Sequence, residues 1–325
     1  MKTSLIRIHR TGGPEQLQFE SADIAAPGAG EVLLRQTAIG VNFIDTYHRS
    51  GLYPLSLPSG LGSEGAGEIV GVGEGVTQFR PGDRVAYASG PPGAYAQMRV
   101  MPAAALVKLP DGIDDRSAAA MMLRGMTVEY LIRRLYPVRR GETVLLHAAA
   151  GGVGLIATQW LKHLGATVIG TAGGPAKAEL ARAHGCDHVI DYRHEDVAAR
   201  VREWTAGKGV TVVYDGVGRD TFAASLDSLA PRGMMVSFGN ASGAVEPFAP
   251  ALLAGKGSLF LTRPRLLDYI ATRSELEASA AALFAVVLSG AVRINIGQTY
   301  ALRDAAQAHR DLEARKTTGA TLLLP

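Results

Sequence analysis

The sequence predicts an α/β protein built on a doubly wound parallel sheet, accompanied by a separate, mostly β region. Three observations predict it. From residue 143 onward, buried-strand patterns alternate with helical patterns at spacings that require parallel strands joined by right-handed crossovers. The first of those strands runs into a glycine-rich turn that opens an amphipathic helix. The first third is instead rich in Gly and Pro, with short strand-like runs and no such alternation. At 325 residues the chain exceeds one ordinary domain, so two are expected.

In the alternating region, Thr143-Val144-Leu145-Leu146-His147 is a buried-strand run. The helix after it carries Val153, Ile156, Ala157, Trp160, Leu161 and Leu164 on one face, and Gly165 stops it. Strand Thr167 to Gly170, a helix over 176–184, strand His188 to Asp191 and a helix over 196–205 follow. Strand Val210 to Tyr214, a helix over 220–229, strand Met234 to Phe238 and a sixth strand, Ser258 to Leu261, complete the series. Before it, Glu31 to Arg35 reads as a strand, and Glu68-Ile69-Val70 and Arg84 to Tyr87 flank the turn signal Arg80-Pro81-Gly82-Asp83. After Arg263-Pro264, a long helix carries Leu276, Ala280, Leu283, Phe284, Val287 and Leu288, with Ser274 and Glu277 as its expected capping box. Ala320 to Leu324 forms a last strand.

Composition narrows the function classes. With 47% hydrophobic and 19% charged residues the chain suits a packed globular core. The formal charge is only +3, and the basic pairs Arg133-Arg134 and Arg139-Arg140 read as solvated helix-end charges, which argues against nucleic acid as a partner. One cysteine, Cys186, rules out a disulfide framework and a multi-thiolate zinc lobe. No apolar run is long enough to cross a bilayer, and Met1 to Ile6 alternates like a strand rather than a signal peptide, so the expectation is a cytoplasmic protein without membrane insertion.

Two glycine stretches compete for the dinucleotide site. Gly60-Leu61-Gly62-Ser63-Glu64-Gly65 satisfies G-x-G-x-x-G literally, but no helix follows it, and it reads as a tightly turned β segment. Ala149-Ala150-Gly151-Gly152-Val153-Gly154 matches less literally, with Ala149 at the first glycine, yet it lies between a buried strand and an amphipathic helix. There Gly151 lets the backbone approach a pyrophosphate, and Gly154 permits close helix–strand packing. An NAD site places an acid about 20 residues onward to hold the ribose hydroxyls. Here that place reads Gly170-Thr171-Ala172-Gly173-Gly174, and Lys177 just beyond can answer a 2′-phosphate, so the cofactor expected is NADPH.

Assembled, these features resemble the zinc-independent quinone oxidoreductases, the zeta-crystallin-like branch of the medium-chain dehydrogenases. The likeness runs through Ala38 to Tyr47, Gly51-Leu52-Tyr53-Pro54, Leu57 to Gly62 and His147 to Gly154. It continues in Val213 to Gly218, Ser237-Phe238-Gly239-Asn240 and Thr262-Arg263-Pro264. The resemblance implies that residues 1–123 and 264–325 form one GroES-like catalytic domain, with a Rossmann NADPH-binding domain over 124–263 inserted in it. It also implies a homodimer built by pairing the sixth strands of two cofactor domains. Residue by residue, it places Asn42, Asp45, Tyr53 and Thr127 around the nicotinamide, and Ala150, Gly151, Gly152, Val153 and Gly154 at the pyrophosphate. Gly173, Lys177 and Tyr192 fall around the adenosine ribose and its 2′-phosphate, and Gly216, Phe238, Gly239, Asn240, Arg263 and Arg315 complete the cofactor site. Gly216 departs from the Ser often found there, leaving only a backbone contact to infer.

Zinc-dependent relatives carry Cys and His where this chain has Asn42 and Ser63, neither a competent ligand, and His184 and His188 are split by Gly185, so no metal is expected. Oxidising an alcohol needs a Lewis acid for the alkoxide. Reducing a quinone does not, because the acceptor spreads the incoming charge and takes its proton from water. Holding nicotinamide and acceptor together in a dry site suffices. Asn42, Asp45 and Tyr53 are therefore substrate-pocket candidates rather than assigned acids or bases. The expected activity is NADPH-dependent quinone reduction. Two alternatives stay open: an enoyl or enone reductase, with Tyr53 as its only obvious proton donor, and a non-catalytic NADPH-sensing or RNA-binding protein.

Overall fold

In the computed structural model, which describes residues 1–325, the Gly- and Pro-rich first third folds as antiparallel sheets with few helices. Its elements are β1 (Lys2–Ile8), β2 (Gln18–Asp23), β3 (Glu31–Val41), α1 (Phe43–Ser50), β4 (Ser59–Gly60), β5 (Glu64–Val72), β6 (Arg84–Tyr87), β7 (Met98–Pro102) and β8 (Val107–Lys108). α2 (Asp115–Glu129) leads into the alternating region of β9 (Thr143–Leu146), α3 (Gly152–Leu164), β10 (Thr167–Ala172), α4 (Pro175–Ala183), β11 (His188–Asp191) and α5 (Val197–Trp204). That region continues through β12 (Val210–Asp215), α6 (Phe222–Ser228), β13 (Leu229–Ser237), α7 (Ala251–Gly255), β14 (Phe260–Thr262) and α8 (Leu266–Tyr269). The chain closes with α9 (Arg273–Leu288), β15 (Ile296–Ala301), α10 (Ala305–Glu313) and β16 (Ala320–Leu324).

Two units result, Met1–Met126 with Ile270–Leu288 and Ile294–Pro325, and Thr127–Tyr269 with Ser289–Arg293. The divisions expected at 123/124 and 263/264 thus shift, for identifiable reasons. Arg124 belongs to the first unit because it pairs with Glu64. Residues through Tyr269 go with the second because the Tyr130 and Tyr269 rings stack at 4.3 Å and Arg134 donates to the Tyr269 carbonyl. Arg293 joins it through two hydrogen bonds with Gln159.

The first unit holds a small sheet in the order β2-β1-β4 and a seven-stranded sheet in the order β15-β16-β3-β5-β6-β8, with β7 also on β3. The literal G-x-G-x-x-G falls on β4 and the start of β5, as a turned β segment. Gly62 there has φ +90°, and a Cβ on it would strike the Tyr95 ring at 2.4 Å. On β5 itself a Cβ at Gly67 would lie 2.1 Å from the Arg35 carbonyl of β3, so these glycines serve strand packing. The core gathers Ile6, Ile39, Ile69, Tyr87, Tyr95 and Leu323.

The second unit is a six-stranded parallel sheet in the order β11-β10-β9-β12-β13-β14, with the order of winding reversing between β9 and β12. Its core includes Leu145, Ile169, Ile190, Val213 and Met235. Gly165 ends α3 in the left-handed region at φ +86°, which a Cβ would disfavour. One expectation needs correction. α9 is capped by Thr272, whose Oγ1 receives the Glu275 N–H at 3.3 Å while the Glu275 carboxylate accepts from the Thr272 N–H at 3.1 Å. Ser274 and Glu277 lie two residues too far in, and Glu277 instead pairs with Arg273 at 2.7 Å. The S/T-x-x-E pattern occurs twice here, and only the backbone path decides between them. No helix is long and apolar enough to cross a membrane.

Candidate functional site

In a doubly wound sheet ligands settle beyond the carboxyl ends of the strands, where the winding reverses. Here that point is the pair β9 and β12. β9 leaves through His147 into Ala148, at φ +54°, and then into the Gly151 to Gly154 turn. A Cβ on Gly154 would stand 2.3 Å from the Ala148 carbonyl and 2.6 Å from that of Ala149, so only glycine lets α3 sit this close to the strand end. Gly151, at the N-cap, would meet only Ala148 O at 3.2 Å. No side chain caps α3, so its first N–H groups and positive dipole end face outward without competition from a protein carboxylate or hydroxyl.

A buried hydrogen-bond chain fixes this turn. Asp215, at the end of β12 and fully buried, accepts from the N–H groups of Val217 and Gly218 and from Ser225 Oγ at 2.7 Å. Because Ser225 spends its proton on Asp215, it must accept from His147 Nε2 at 3.0 Å. His147 Nδ1 then accepts from Thr171 Oγ1 at 3.1 Å, and Thr171 in turn accepts the Ala148 N–H. Burial pushes the ring's pKa down, which favours this neutral form. Three strand ends, β9, β10 and β12, are locked by one chain of side chains that the sequence reading did not single out.

At the end of β10, Gly173 lies against Tyr192, whose hydroxyl would be 2.5 Å from a Cβ there. Gly174 caps α4, and Lys177 follows in its first turn, half-buried. Asp191, at the end of β11, is tied to the loop: its Oδ1 accepts the N–H of Gly174 at 3.0 Å and of Arg193 at 3.2 Å. Beyond β13, the Phe238 ring would be 3.0 Å from a Cβ on Gly216, and Gly239 packs on the Gly216 carbonyl. Arg263 donates to the Ser237 carbonyl at 2.8 Å, and with its amide turned to satisfy both neighbours Asn240 accepts from Arg263 at 3.2 Å. Thr127 is buried near the end of α2. The second unit thus places Ala150 to Gly154 just past β9 and Gly216 just past the adjacent β12, and sets Gly173 against Tyr192, with Lys177 in the first turn of the helix that follows.

The remaining residues belong to the first unit. Asn42 is the N-cap of α1, and its Nδ2 donates to Glu64 at 2.7 Å. Glu64, fully buried, also pairs with Arg124 at 3.0 Å and accepts the Leu123 N–H. Burial raises its pKa while Arg124 and Asn42 pull it back. Asp45 is likewise fully buried, accepting the Asn42 N–H at 2.8 Å and the Tyr95 hydroxyl at 2.9 Å on Oδ2. Burial pushes its pKa up to about 7. Asp45 therefore supports Asn42 and has no exposed surface of its own. Tyr53 is half-buried, its ring edge-on to Tyr47 at 5.3 Å. Arg315 is exposed just past α10, at φ +58°. Sequence reasoning missed Glu64 and Arg124, although an acid inside the glycine-rich run 60–67 was a usable signal. No group of three His, Cys, Asp or Glu side chains stands close enough to hold a metal ion.

Comparison with known proteins agrees with this architecture. Residues 152–284 match a family described as zinc-binding dehydrogenase, and residues 28–111 match the alcohol dehydrogenase GroES-like domain. The chain is 57% identical to a quinone oxidoreductase of Pseudomonas aeruginosa over 98% of its own length and 99% of the relative's. It superposes on the crystal structure of Escherichia coli quinone oxidoreductase complexed with NADPH with a TM-score of 0.98, at 50% identity, covering 99% of this chain and 100% of that one. It is also 47% identical to a 2-haloacrylate reductase of Burkholderia sp, over 98% of each chain.

Proposed function

This chain belongs to the quinone oxidoreductases of the zinc-binding dehydrogenase family, and from that premise we propose that it reduces quinones with NADPH. The observation that carries the reading is the Gly151 to Gly154 turn between β9 and α3, where the absent Cβ of Gly154 and the uncapped helix start leave backbone donors for a pyrophosphate. Ala150 to Gly154 would hold that group. Gly173, Lys177 and Tyr192 would take the adenosine ribose and its 2′-phosphate, with Asp191 already spent on the loop and so not competing for it. Gly216, Phe238, Gly239, Asn240, Arg263, Arg315 and Thr127 complete the binding set. NADPH, when bound, supplies the hydride that reduces the acceptor.

The protein's own share is binding and orientation. Asn42 is held rigidly by Glu64 and Asp45, and Tyr53 by Tyr47, which suits them to align a flat acceptor by hydrogen bonding and stacking. We assign no obligatory acid or base, since a hydroquinone anion takes its proton from water. The open edge of β14 supports a homodimer formed by strand pairing: it bonds only to β13, and Phe260 on it is 57% exposed.

A second reading, reduction of an activated alkene conjugated to a carbonyl or carboxylate, is favoured by the likeness to the 2-haloacrylate reductase. NADPH oxidation followed with 1,4-benzoquinone, 2-haloacrylate and a crotonyl thioester separates the two. Turnover with the quinone is expected to dominate, and turnover with the alkenes alone would replace the first reading. Lys177→Ala should weaken NADPH binding by about 10- to 50-fold, the worth of one charge-assisted phosphate contact, and leave NADH almost unchanged. Calorimetry with both nucleotides checks this, and equal losses would remove Lys177 from the phosphate site.

A further inference from the structure

Asp45 is the terminus of a second buried chain, which the proposed chemistry does not use. Arg49, 3% exposed, grips Glu313 with both terminal nitrogens at 2.7 and 3.0 Å, donates to the Gly12 carbonyl, and places Nη1 3.1 Å from His309 Nδ1. A guanidinium only donates, so His309 Nδ1 must be the acceptor and its proton sits on Nε2. That nitrogen lies 3.0 Å from the Tyr95 hydroxyl, which therefore accepts from it and gives its own proton to Asp45 Oδ2. Every hydrogen bond in the chain is thus oriented one way, from Arg49 to Asp45. Burial and the neighbouring Arg49 charge push the His309 pKa down to about 3, so the ring stays neutral and the direction holds throughout the working pH range.

Reversal would put a proton on His309 Nδ1, facing the Arg49 N–H. The chain is therefore a fixed brace and not a proton wire. Asp45 Oδ1, fully buried, has no hydrogen-bond partner, so a proton can join or leave there while Oδ2 keeps both donors. The other charged and titratable groups in this cluster are Glu64 on β5 and Arg124 on α2, which oppose each other, with Tyr87 on β6, Arg99 on β7, which donates to Tyr87, and Glu313 on α10.

We infer that Arg49, His309 and Tyr95 are positioning residues that hold Asp45 as an ionised acceptor against Asn42, and so set the pH below which quinone reduction falls. This rests on the quinone reading for its catalytic consequence, but the brace itself is readable without turnover. An ionised Asp45 at the third position of α1 favours the helix dipole and the Asn42 N–H together, and protonation weakens both holds.

Tyr95→Phe removes one of the two donors to Oδ2. The acid limb of the kcat/KM profile for quinone should then move up by roughly one pH unit. His309→Gln should leave the limb in place, because the amide offers an oxygen to Arg49 and an N–H to Tyr95. His309→Leu, should Tyr95→Phe fail to fold, moves it the same way by less. Thermal midpoints give the readout independent of activity. An acid whose folded pKa is raised stabilises most below its unfolded value and loses that contribution as pH rises through the folded one. Raising it further makes the deficit of Tyr95→Phe against wild type widen between about pH 6 and pH 9. A constant deficit with an unmoved limb overturns the inference. A widening deficit in a protein that does not reduce quinones supports the brace and overturns the substrate assignment instead.

Discussion

Replacing Gly154 with Ala is expected to weaken NADPH binding by about 100-fold, the loss that accompanies a misplacement of about 1 Å in a preorganised site. The added Cβ would lie 2.3 and 2.6 Å from two backbone carbonyls, Ala148 and Ala149, neither of which can rotate away. α3 must retreat from the strand end, carrying with it the N–H groups proposed to hold the pyrophosphate. About 2.7 kcal/mol of binding is at stake, and overpacking adds about 1–3 kcal/mol of destabilisation. Titration calorimetry with NADPH beside a thermal melt checks both. Gly151→Ala is the matched control, since its Cβ meets only one carbonyl at 3.2 Å. There NADPH affinity should fall with little change in melting temperature. Native affinity in Gly154→Ala would move the nucleotide to another loop.

Arg124→Met should cost about 3–5 kcal/mol of stability, as removal of one partner of a buried ion pair does, and lower the thermal midpoint by about 10 °C. Glu64 would be left fully buried with only Asn42 and the Leu123 N–H to answer its charge. Its folded pKa, already raised by burial, would rise further once the Arg124 charge that lowers it is gone. An acid raised in this way loses its contribution as pH climbs through the folded value. The deficit is accordingly largest in alkaline buffer and shrinks on acidification, which melts across pH 5 to 9 would read. Adding Glu64→Gln removes the stranded charge and should recover part of the loss. A deficit independent of pH would mean that packing, and not charge, is what Arg124 contributes.

The strand, turn and helix around Gly151 to Gly154 were legible in the sequence. Patterns of four to six residues, such as Thr143 to Leu146 followed by glycines and an amphipathic helix, are local, and the rules that turn them into strand, turn and helix are local too. The literal G-x-G-x-x-G at 60–65 shows the limit of a motif without its context, since Gly60 and Gly62 make room for Gly93 and the Tyr95 ring and Gly65 for Gln36 of β3. The capping of α9 by Thr272 instead of Ser274 shows the same limit at a helix end.

What the sequence alone determined was the doubly wound sheet, the glycine turn between β9 and α3, the lack of an acid just past β10 and the absence of zinc ligands at Asn42 and Ser63. Those follow from residue type and short spacing. Only the tertiary structure decided which polar residues support the site from behind. Asp45 meets Tyr95 across 50 positions, Glu64 meets Arg124 across 60, and Arg49 meets His309 across 260. No local pattern encodes such pairs, because burial in a low-dielectric core demands a partner for each polar group, and the fold alone chooses which one comes within reach.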